Sequence, residues 1–92
     1  MSKKLVSIEV YGIVQGVGFR FFAFQNAELF EINGWIKNMI NGNVKIEAEG
    51  EEDNLKAFIK KIETGPRLSR VDKIEISWSE SLNNYNSFKI LN

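Results

Sequence analysis

Between Leu5 and Phe30 the apolar period of the chain changes once, and the change falls on glycine. Upstream, Val6, Ile8 and Val10 alternate with Ser7 and Glu9, the period-two pattern of a strand with one buried face. Downstream, residues 21–30 carry apolar side chains on more than one helical stripe, which predicts a well-buried helix. The join is "GIVQGVGFR", Gly12 to Arg20, with three glycines and one charge. A strand that turns through glycine straight into a helix is half of a β-α-β unit, and the remaining chain must supply a sheet for it to pack on.

The remaining pattern does so. Residues 35–39 read as a second strand, Asn41 and Gly42 as a tight hairpin turn, and residues 43–49 as a third strand with Val44, Ile46 and Ala48 inward and Lys45, Glu47 and Glu49 outward. Gly50 and a run of acids precede a second helix over residues 54–63, where Leu55, Phe58, Ile59 and Ile62 fall at i, i+3, i+4 and i+7. Gly65 and Pro66 stop it. Residues 71–78 form a fourth strand with Ile74, Ile76 and Trp78 inward, and a polar loop over residues 79–86 leads to a short last strand around Phe88 and Ile90. The order β-α-β-β-α-β, with a terminal extra strand, predicts an α+β, ferredoxin-like split β-α-β sandwich: an antiparallel sheet with two helices on one face.

Composition narrows what such a sandwich does. Ninety-two residues, 43% of them hydrophobic, suit a single domain over residues 1–92 with one modest core. Twelve basic and twelve acidic residues cancel, whereas a nucleic-acid or anionic-membrane binder usually carries a basic excess. There is no cysteine and no histidine, so disulfides, thiolate chemistry and the commonest metal ligand are absent. The first residues lack the apolar core of a signal peptide, and no segment approaches the length of a membrane span. The expectation is a cytoplasmic monomer with no metal, no cofactor and neither nucleic acid nor membrane as partner.

The glycine turn is where chemistry concentrates. Glycines let the backbone adopt positive φ and approach a ligand, successive N–H groups there make an anion nest, and the helix that follows aims its N-terminus at the same place. Arg20 stands at that N-terminus, where a cation opposes the helix dipole unless an anion lies between them. A dinucleotide fingerprint starting at Gly16 would need glycine where Phe21 stands, and a P-loop would need Gly-Lys followed by Ser or Thr, which the chain lacks. From spacing alone, a plain connecting turn with an incidental arginine is as good a reading.

"VYGIVQGVGFR", Val10 to Arg20, resembles the signature of the acylphosphatases, and "GWIKNMINGNVKIEAEG", Gly34 to Gly50, resembles the second signature of that family. "GPRLSRV", Gly65 to Val71, and "FKI", Phe88 to Ile90, are similar to the family as well. The resemblance implies hydrolysis of a small-molecule acyl phosphate to carboxylate and inorganic phosphate. It implies that Arg20 binds the phosphoryl group together with the backbone amides of Gln15, Gly16, Val17, Gly18 and Phe19, and that Asn38 orients the attacking water. The chemistry is compatible with a chain lacking histidine and cysteine: the leaving carboxylate is already a stable anion, and phosphoryl transfer depends on positioning and charge stabilisation.

Two residues depart from the pattern. Ile36 replaces a usually smaller residue, and Glu31 stands where a glycine commonly ends the first helix, a position that calls for positive φ and predicts local strain. Two other functions fit the fold: a non-catalytic phosphometabolite-binding module, and a single-stranded RNA-binding module. The latter needs aromatics on the open sheet face, where Ser7, Glu9, Tyr11, Lys45, Glu47 and Glu49 make a poor stacking platform. The acids Glu47, Glu49, Glu51, Glu52 and Asp53 read as a solvated face and a helix start rather than a metal site.

Overall fold

A computed structural model describes residues 2–92. Its elements run β1 (Lys3–Ile13), α1 (Phe19–Leu29), β2 (Asn33–Asn38), β3 (Val44–Glu51), α2 (Glu52–Thr64), β4 (Arg70–Ser79) and β5 (Phe88–Leu91). One five-stranded sheet has the order β4-β1-β3-β2-β5. The pairs β1–β3, β1–β4 and β2–β3 are antiparallel, as expected, but β5 lies parallel to β2 and makes the sheet mixed. The loop before β5 returns the chain to the end of the sheet where β2 begins, so the last strand runs in the same direction.

The alternation in β1 and β3 decides which face is buried. Val6, Ile8, Val10, Val44, Ile46 and Ala48 join one core with residues from both helices. In α2, Leu55, Phe58 and Ile62 are fully buried, each worth about 1.5–3 kcal/mol of apolar burial. Glu52 and Asp53 favour its N-terminus, Lys61 its last turn, and Gly65 ends it.

Helix α1 is less buried than its composition predicts. Its buried stripe is Phe19, Ala23 and Ala27, while Phe21 and Leu29 are exposed. The small alanines at the contact let the helix axis approach the sheet, and the larger side chains are displaced to the flanks. The helix ends in a Schellman motif: Ile32 N–H donates to Ala27 C=O at 2.8 Å and Glu31 N–H to Glu28 C=O at 3.3 Å. Glu31 occupies the left-handed position at φ 58°, the strain expected there.

Two further expectations are corrected. Ile76 and Trp78 are opposite Ile8 and Val6 and so lie on the helix-covered side of the sheet, yet they are 38% and 43% exposed. They belong to an edge strand that overhangs the helices. Glu49 points away from the helices but is 6% exposed rather than solvated. The loop over residues 80–87 folds across that face, and the Glu49 carboxylate accepts the backbone N–H groups of Asn83, Asn84 (3.1 Å) and Tyr85 (2.8 Å). Trp35 Nε1 donates to the Tyr85 hydroxyl at 3.1 Å, and that hydroxyl donates to Glu47. The face is thus tied to its own loop instead of displaying aromatics.

Candidate active site

Gly12 belongs to β1 and not to the turn. It sits at a register shift between β1 and β4, where a Cβ would fall 2.0 Å from the Arg70 carbonyl oxygen. The turn proper begins at buried Val14 and passes through Gly16 at φ 74° and Gly18 at φ 78°, both left-handed. A Cβ at either glycine would meet nothing within 4 Å, so this side of the loop is open. No backbone N–H of Gln15, Gly16, Val17, Gly18 or Phe19 donates to another described residue. Phe22 N–H donates to Gly18 C=O at 3.0 Å, the first bond of α1. The result is a short arc of free donors leading into a helix N-terminus, an anion-binding geometry.

Arg20 is the second residue of α1 and half-buried, with no acidic residue in that first turn. Its Nη1 donates to the Leu91 carbonyl at 3.2 Å, so β5 fixes the guanidinium while its other N–H groups remain available. Asn38 ends β2, and its Oδ1 is buried with no partner. Arg20 and Asn38, eighteen residues apart in sequence, line one cleft of about 320 Å³ with Val14, Gly16, Gly18, Phe19, Phe21, Ile90 and Asn92. The sheet order brings this about: α1 packs against β2 and β5, so its first turn lies beside the end of β2.

Gln15 and Val17 flank Gly16 in the loop but do not line the cleft. Val17 packs against the core. The side chain of Gln15 donates from Nε2 to the Met39 carbonyl at 2.7 Å and the Asn43 carbonyl at 2.8 Å, tying the loop to the β2–β3 hairpin. This strut and the wall contributed by β5 were not legible in the sequence. The last strand was readable, but its parallel pairing with β2 has no local signal.

A model of the acylphosphatase family matches residues 6–90. The acylphosphatase of Salinibacter ruber is 37% identical over 89 residues, covering 97% of this chain and 94% of that one. The chain belongs to the acylphosphatase family. The acylphosphatase of Caldanaerobacter subterraneus is 41% identical over 88 residues, with 96% and 98% coverage. The crystal structure of the acylphosphatase from Bacillus subtilis superposes with a TM-score of 0.95 at 38% identity, covering 97% of this chain and 99% of that chain. The compact α+β fold is therefore the family fold.

Proposed function

We propose how this acylphosphatase hydrolyses acyl phosphates to carboxylate and inorganic phosphate: Arg20 and the loop amides of Gln15, Gly16, Val17, Gly18 and Phe19 hold the phosphoryl group, and Asn38 orients water. The observation that carries this reading is the meeting of Arg20 and the partnerless Oδ1 of Asn38 in one cleft beside free backbone donors. Asn38 Oδ1 accepts a hydrogen bond from the water and aims its oxygen at phosphorus. As the P–O bond to the acyl group breaks, its electron pair leaves with the carboxylate. The water proton ends on a phosphoryl oxygen, giving dihydrogen phosphate, so no side-chain acid or base is needed. Arg20 and the amides stabilise charge on the equatorial oxygens, the main contribution available to a loose transition state. The protein acts as a single-domain monomer in the cytoplasm. Its balanced charge supports this reading.

The test is phosphate release from acetyl phosphate in chelator-treated buffer. Turnover is expected, and Asn38→Ala should lower kcat with little change in inhibition by inorganic phosphate. A matched loss of phosphate affinity would place Asn38 in phosphate binding instead. Phosphate binding with no turnover in the wild type would identify a sensor, and salt-sensitive RNA binding without turnover would identify the nucleic-acid module.

A further inference from the structure

The mouth of the cleft carries two large apolar side chains that the core does not use. Phe21 is 59% exposed and Ile90 is 41% exposed, and both line the cleft that contains Arg20 and Asn38. Phe21 follows Arg20 on α1. Ile90 precedes Leu91, whose carbonyl holds the Arg20 guanidinium. Ile90 pairs with Ile36 on the helix-covered side of the sheet, so β5 presents it toward α1 rather than toward the open face. Among the described residues lining the cleft, Arg20 is the only charged side chain. Once Arg20 is engaged by a phosphoryl group, the side chains left at the mouth for the rest of the ligand are Phe21, Ile90 and the neutral amide of Asn92, none of which is a cation. Exposed apolar side chains grouped at a polar site mark a place where a ligand covers them.

We propose that Phe21 and Ile90 form the subsite for the acyl group and select acyl phosphates whose acyl chain is uncharged and apolar over those with a second anionic group. This rests on the hydrolase reading above. The two side chains lose exposed apolar surface to the acyl chain, whereas a terminal carboxylate or phosphate would be desolvated beside them without a partner.

The experiment measures kcat/KM for acetyl, butyryl, hexanoyl and succinyl phosphates with the wild-type chain, Phe21→Ala and Ile90→Ala. The three aliphatic leaving groups have closely similar acidity, so a trend across them reports binding of the chain. A rise of about tenfold from acetyl to hexanoyl phosphate is expected, the low end of what one fully enclosed methylene can give, because this mouth is open. Succinyl phosphate, as long as butyryl but charged, should fall below it. Each variant should flatten the rise to about twofold. Because the readout is a ratio within one protein sample, partial unfolding of a variant cancels. A flat aliphatic series in the wild type, a slope retained in both variants, or succinyl phosphate turned over as well as butyryl would overturn the proposal. Absence of turnover with every substrate would instead overturn the hydrolase reading itself.

Discussion

Arg20 is placed where a cation harms its own helix: in the first turn, with no acid nearby, at a cost of about 0.3–1 kcal/mol. That local conflict was visible in the sequence, and it is what singled the residue out. Its anchor, the Leu91 carbonyl, was not visible, because a backbone oxygen seventy-one residues away carries no residue-type signal. Glu31 shows the opposite balance. The missing glycine at the end of α1 was readable, and the φ of 58° there shows that the position is left-handed even with a Cβ. Replacing Glu31 by glycine removes the Cβ strain but loosens the unfolded chain, so a net gain of about 0.5–1 kcal/mol is expected in urea-induced unfolding. A loss of stability would mean that the Glu31 side chain contributes more than its backbone costs.

The β1–α1 loop and the β2–β3 hairpin act together through Gln15. Its amide is the donor for two hairpin carbonyls, and the hairpin follows Asn38. Gln15→Ala should therefore separate the two halves of the cleft, costing about 1–2 kcal/mol of stability and lowering kcat/KM. Gln15→Glu keeps the size but faces two carbonyls with an acceptor, and should be worse than alanine in both assays. If the glutamate variant matched the wild type, the strut would be irrelevant. The sequence placed Gln15 in the right loop because glycines punctuate it, yet gave its backbone the role and not its side chain. For α1, a phenylalanine-rich period overstated burial, since periodicity cannot tell that Ala23 and Ala27 make the closest contact.

The order of elements along the chain and the buried face of α2 followed from alternation and i, i+3, i+4 spacing, which report the side of an element a residue occupies. They do not report what covers that side. Ile76 and Trp78 overhang at one edge, while Glu49 disappears beneath a polar loop. Through that loop Glu49 holds the chain that leads into β5, and β5 holds Arg20. Glu49→Ala leaves three backbone amides of the loop without their acceptor and should cost about 1–3 kcal/mol. It should also weaken turnover, whereas Glu49→Gln, which keeps one accepting oxygen, should lose less of each. Equal effects of alanine and glutamine on turnover would contradict the link to the site. The most direct measurement is phosphate release by Arg20→Gln, read beside its thermal unfolding. Loss of a hundredfold to thousandfold in turnover, about 3–4 kcal/mol of transition-state stabilisation, is expected with the cooperative fold retained. Near wild-type hydrolysis by that variant would contradict the phosphate cradle outright.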